Sequence, residues 1–176
     1  MYPIIRMAKE LWKYRNAPRL EILQPHHSQH IVWPWDLDVW RELNNGRTLT
    51  LFDLGRIPMA VRMGLDKVAK AKGWNITVAG NSVRYRRRVT VFTKLSQSCR
   101  VTGWDDRFVY LEQSFWRGEE CTAHMLLRSA FVSKSGIVPT HEVLEALGIA
   151  DQSPPLPDWI VKWIAADALR PWPPAR

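Results

Sequence analysis

The chain has 176 residues, 46% of them hydrophobic and 24% charged, and a formal net charge of +8. That length and balance fit a soluble globular protein with one hydrophobic core, and no apolar run approaches the roughly 18 residues needed to span a bilayer, so no integral membrane contact is expected. The positive charge narrows the partners to anionic ones: nucleic acid, an anionic membrane surface or a phosphorylated ligand.

In chain order, residues 1–15 place Ile4, Ile5, Ala8, Leu11 and Trp12 at helical spacing, with Arg6, Lys9 and Lys13 between them. Surface-lying membrane helices show this pattern, and so do helices packed on their own domain or on a second subunit, which is the expectation here. Residues 16–30 are polar and end in HHSQH; His27 and His30 could chelate a metal on a helix, but no third ligand is near and no metal is expected. These residues form an N-terminal extension, 1–30, that is partly helical. Ile31 to Trp35 reads as a short strand closed by Pro34.

From Arg47 to about Gly73 the pattern is helical and apolar on several sides (Leu49, Leu51, Phe52, Leu54, Met59, Val61, Met63, Leu65), as in a helix buried on more than one face. Pro58 removes a backbone donor, so a kink or break is predicted there, and AKAKG puts cations in the last turn before a glycine stop at Gly73. The period then changes to two. Ile76, Val78 and Gly80 lead through Arg84 and Tyr85 to VTVFTKL, FVYLEQSFW and CTAHMLLRSAFV, joined by GWDD and RGEE turns. The fold class is therefore α+β over 31–133, a long central helix covered by a curled antiparallel sheet of about five strands. A C-terminal extension, 134–176, holds a short helix capped by Thr140, a rigid SPPLP linker, a last helix opened by Pro157 and docked through Ile160, Trp163 and Ile164, and an extended RPWPPAR tail. Cys99 and Cys121 lack metal-ligand spacing and read as reduced buried thiols of a cytosolic protein.

The common hydrolase, metalloprotease and nucleotide-binding signatures are absent. What remains is WPWDLDVWRELNNGR, residues 33–47. Asn44 and Asn45 are favoured helix caps, and a helix start presents unpaired amides at its positive end. A thioester carbonyl placed there would be polarised, and its oxyanion would be held by amides near Asn45, Gly46 and Arg47. Asp38, from the preceding loop, could attack the carbonyl carbon or take a proton from water. The plainer alternative is that Asp36 and Asp38 only complement the helix dipole, at about 0.3–1 kcal/mol each.

The string DLDVWRELNNGRTLTLFDLGR resembles the D-x-D-x-x-x-H-x-N-N-x-R-Y signature of hotdog-fold thioesterases in the 4-hydroxybenzoyl-CoA thioesterase-like group. The order of elements resembles that group too, and SVRYRRRV, GWDDRFVYLEQSFW and SPPLPDW resemble a subset of it. The resemblance implies a hotdog fold and a cytoplasmic thioester hydrolase acting on acyl-CoA or acyl-carrier-protein thioesters. It implies Asp38 as the catalytic carboxylate and Asn45 and Gly46 as the oxyanion site. It implies no cofactor beyond the coenzyme A of the substrate, and a homodimer with sheets side by side and active sites at the interface, often paired further into tetramers. Glu42, Asn44 and Arg47 are then placed near the substrate.

Two positions depart from the signature: Glu42 stands where the subset has His, and Thr48 where it has Tyr. An anion at Glu42 beside Asp38 would weaken a carboxylate nucleophile, which motivates the alternative of a non-catalytic module that binds an acyl thioester or a protein partner. The run Arg84, Arg86, Arg87, Arg88 suits coenzyme A phosphates, and on a strand Arg84, Arg86 and Arg88 would share one face. A solvated outer face is the competing reading. Single-stranded nucleic acid is not expected, because no binding motif accompanies the arginines.

Overall fold

The computed structural model describes residues 2–150 and 152–174; Met1, Asp151 and the last two residues of the RPWPPAR tail lie outside the described residues. Its helices are α1 (Ile4–Tyr14), α2 (Asn45–Met63), α3 (Leu65–Lys72), α4 (Thr140–Leu147) and α5 (Asp158–Ala168). Its strands are β1 (His26–Ile31), β2 (Asn75–Tyr85), β3 (Lys94–Trp104), β4 (Val109–Arg117), β5 (Glu120–Ser133) and β6 (Gly136–Val138).

All pairings are antiparallel, in the order β1-β3-β4-β5-β2, with short β6 on the end of β5. The inner face closes on α2, which buries Leu51, Phe52, Leu54 and Met59 almost completely. Phe52 stacks on Phe115 of β4 with ring centres 4.2 Å apart. Two buried side-chain amides also fasten the helix to the sheet: Gln97 and Gln113 each donate Nε2–H to the Phe52 carbonyl, at 2.9 and 2.8 Å. Gly55 permits this approach, since a Cβ there would sit 2.5 Å from Gln97 Nε2. The hotdog expectation holds: a long helix wrapped by a curled antiparallel sheet.

Several details differ from the sequence expectation, each for a local reason. The helix runs through Pro58 and stops at Gly64, whose φ of 84° only glycine adopts cheaply, before α3 continues to Gly73. Pro58 is buried in α2, so packing there offsets the lost hydrogen bond. The first strand lies at His26–Ile31, and Pro34–Asp36 form a 3₁₀ turn. His27 and His30 therefore sit on a strand, one outward and one inward, and cannot share a metal. His30 is buried with its Nε2 2.9 Å from Ser28 Oγ, and burial lowers its pKa to about 4.

The run VTVFTKL enters its strand only at Lys94, because Phe92 turns the chain with φ 60°. At α4 the cap position belongs to Pro139, and Thr140 is buried as the first helical residue, its N–H given to the Asp106 carbonyl. SPPLP lies on the sheet at Gly103, with Ser153 Oγ accepting from the Trp104 N–H. Beyond it α5 docks as expected through Ile160, Trp163 and Ile164 against Tyr110 and Leu126.

α1 packs on the domain, but not by the expected stripe. Met7, Glu10 and half-buried Leu11 face inward, while Ile4, Ile5, Ala8 and Trp12 face solvent. The helix runs beside β1: Arg6 Nη2 donates to the Ile31 carbonyl and Tyr14 OH to that of His27.

Candidate active site

The loop between β1 and α2 carries two aspartates with opposite surroundings. Asp36 is fully buried, taking 2.8 Å contact from Arg6 Nη1, 2.7 Å from Arg47 Nη2 and a hydrogen bond from the Trp33 N–H. Burial alone would raise its pKa, but the Trp33 amide and the Arg47 and Arg6 guanidiniums hold it below the usual carboxylate range. Its backbone carbonyl accepts from the Asn44 N–H at 3.0 Å. Asp36 is thus held as an anion at neutral pH and pins α1, the loop and the start of α2 together.

Asp38 opens a tight turn. Its Oδ1 accepts from the Trp40 and Glu42 amides at 2.8 and 3.3 Å, and its own N–H donates to the Glu42 carbonyl. Arg41, at φ 59°, reverses the chain between them. The second carboxylate oxygen of Asp38 accepts no hydrogen bond among the described residues. Glu42 pairs with Arg88 at 3.2 Å, and Arg88 also donates to the Trp40 carbonyl. The Glu42 charge is therefore partnered beside Asp38.

α2 begins as the sequence suggests. Asn44 is its cap, with Oδ1 accepting from the Arg47 N–H at 3.1 Å and its carbonyl from the Thr48 N–H. That leaves the Asn45 and Gly46 amides as the open donors at the exposed helix tip. Thr48 lies inside the first turn and donates Oγ1–H to the Asn44 carbonyl.

A cleft of about 250 Å³ joins these parts, lined by Asp38, Glu42, Asn45, Thr48, Tyr85 and Arg86 to Arg88. Asn44 and Gly46 lie outside this lining, as does Arg84, exposed on β2, and Arg47 is turned onto Asp36. The expected alternation of Arg84, Arg86 and Arg88 on one strand face does not occur, because β2 ends at Tyr85. The amides of Arg86 and Arg87 both donate to the Thr122 carbonyl as the chain leaves the sheet. Arg87 is drawn to Glu120.

Sequence reasoning missed two residues here. Tyr85 places its hydroxyl 3.3 Å from the Asn45 carbonyl at the helix tip, with burial raising its pKa; its alternation with Arg84 on a strand was the available signal. Asp53, midway along α2, was the one acid in an otherwise apolar and basic helix. It accepts from Tyr2 OH, pairs with Arg56 and lines a second hollow beside β2 with Leu49, Thr50 and Asn81. At the far end of α2 an apolar hollow of about 310 Å³ opens among Ile57, Ala60, Val78, Phe131 and Leu144. No cluster of metal-ligating side chains occurs among the described residues.

Residues 32–164 match the sequence profile of the thioesterase-like superfamily. The chain belongs to that superfamily. Among its relatives, Protein THEM6 of Xenopus laevis is 30% identical over 163 residues, covering 91% of this chain and 77% of that protein. Among solved structures, YbaW, a probable thioesterase of Escherichia coli, superposes with a TM-score of 0.65 at 19% identity over 69% of this chain and 96% of its own. A Staphylococcus aureus protein solved in complex with CoA gives 0.59 at 11% identity over 84% and 86%. At these identities the structures establish the fold of this thioesterase-like chain. No helix among its described residues is long and apolar enough to cross a membrane.

Proposed function

We propose that this protein hydrolyses acyl thioesters of coenzyme A or of acyl carrier protein, with Asp38 as base or nucleophile. One observation carries the reading: Asp38, the Asn45 helix start and Arg86 to Arg88 line a single cleft. A thioester carbonyl at the tip of α2 meets the Asn45 and Gly46 amides, donors worth about a hundredfold to a thousandfold each where they stabilise a developing oxyanion. With water as nucleophile, Asp38 takes its proton as oxygen bonds to the carbonyl carbon; the C–S bond then breaks and the thiolate leaves, to be protonated as free thiol. With Asp38 as nucleophile, the same departure leaves a mixed anhydride for water to open. The arginines at the rim suit the coenzyme A phosphates. Coenzyme A belongs to the substrate, and no further cofactor enters the scheme.

The free edge of β2 supports assembly as a homodimer. This strand ends the sheet, carries no charge from Asn75 to Val83, and leaves Ile76 and Val78 44% and 46% exposed. Such an edge lacks the charges and prolines that keep strands apart, although β2 carries a bulge between Val78 and Gly80. Sedimentation at micromolar concentration tests this, and a monomer would refute it.

The decisive assay is thiol release from a panel of acyl-CoAs. Asp38→Asn is expected to lose a hundredfold or more, on the order of a general base's contribution. Full activity in that variant would end the Asp38 assignment. Acyl-CoA binding without release from any member of the panel would instead place the chain as a non-catalytic acyl-thioester module, the reading that Glu42 and Thr48 favour.

A further inference from the structure

We propose that the outward face of α1 docks on an anionic lipid surface, independently of what the cleft hydrolyses. On a helical projection of about 100° per residue, Ile4, Ala8, Trp12 and Ile5 fill one arc about 100° wide. All four point to solvent, with Ile4 70%, Ile5 86% and Trp12 65% exposed. A helix whose apolar arc served its own domain would turn that arc inward; here the domain takes Met7 and Glu10 from the opposite side.

The charges around the arc have one sign. Exposed Lys9 and Lys13 flank it on the side of Ile5, and Arg15 lays its guanidinium over the Trp12 ring at 4.1 Å. The single acid of α1, Glu10, is buried, and burial raises its pKa. Arg6 is the one cation of the helix turned inward, onto Asp36. The loop that carries Asp36 also exposes Trp35 at 65%, stacked on Trp33. An apolar arc edged by cations fits the boundary between acyl chains and anionic headgroups.

A second copy of the chain fits less well. A two-fold contact through α1 would bring the cations Lys9, Lys13 and Arg15 of both copies to one interface, with no outward acid on the helix to meet them. α1 also lies along β1, at the end of the sheet opposite β2, so pairing through β2 leaves this face open.

Flotation of the full chain with vesicles tests the proposal. The protein should float with phosphatidylcholine vesicles containing about a third phosphatidylglycerol, and roughly tenfold less with phosphatidylcholine alone or in high salt. Ile5→Glu and Trp12→Glu, both at exposed positions, should each abolish flotation while leaving the melting temperature unchanged. Lys9→Glu with Lys13→Glu should remove the preference for anionic vesicles. Three results would overturn the proposal: a wild type that stays at the bottom of the gradient with both vesicles, flotation unaffected by Ile5→Glu, or an Ile5→Glu chain whose sole change is to a smaller oligomer, which would assign the face to a second copy.

Discussion

Replacing Asp36 by Asn keeps the size of the side chain and removes the charge that two guanidiniums share. Asp36 is wholly buried, whereas the side chains of Arg6 and Arg47 keep 18% of their surface exposed. Removing one member of a buried ion pair costs about 3–5 kcal/mol, and the residual exposure of both arginines reduces that to about 2–3 kcal/mol. For a chain of this length each kcal/mol moves the melting temperature by about 2–4 °C, so a fall of about 4–12 °C is expected at pH 7. The pH dependence gives a second reading of the same effect. The folded pKa of Asp36 lies below its ordinary value, so its contribution is complete above the unfolded pKa of about 3.9 and disappears as pH falls through the lower, folded value. Thermal unfolding followed by circular dichroism should show the gap between wild type and variant narrowing below about pH 4. Equal melting temperatures at pH 7, or a gap unchanged in acid, would refute the assignment of Asp36 as a structural anion.

Gly55→Ala sets a Cβ 2.5 Å from Gln97 Nε2 and so breaks the amide contact to Phe52. The loss, about 1–3 kcal/mol for an unsatisfied buried group plus overpacking, exceeds the roughly 1 kcal/mol gained in helix propensity, and a melt no lower than wild type would contradict it. Arg86→Ala with Arg88→Ala should raise KM for acyl-CoA several-fold with little change for a short acyl thioester lacking the nucleotide, and should flatten the salt dependence of KM. Equal effects on both substrates would separate the arginines from the coenzyme A phosphates.

The large elements were legible because they rest on periodicity. The apolar positions of α2 and the alternation along β3 survive any local adjustment, and the caps at Asn44 and Gly73 follow from local side-chain and backbone preference. The misplacements share one cause, tertiary contact overriding local preference. Pro58 is tolerated where it is buried in α2, Phe92 takes a left-handed turn to reach Val32, and HHSQH becomes a strand because β3 offers an edge. The site was half legible for the same reason. Asn45 and Asp38 are neighbours in sequence, whereas Tyr85, Arg88 and the Arg6–Asp36 contact are brought in from distant elements.

Asp53 shows the opposite energetics to Asp36. Burial is the chief influence on Asp53 and raises its pKa, with the Arg56 charge and the Tyr2 hydroxyl only partly offsetting it. For a carboxylate raised in this way, the stabilising proton is held below the unfolded pKa of about 3.9 and lost as pH climbs through the folded value. At neutral pH the ionised group is therefore a net cost to the fold, below about 1 kcal/mol because its side chain remains 20% exposed and paired with Arg56. Asp53→Asn should melt no lower than wild type at pH 7 and lose any advantage near pH 4. A clear drop at pH 7 would show instead that the Asp53–Arg56 pair holds the helix.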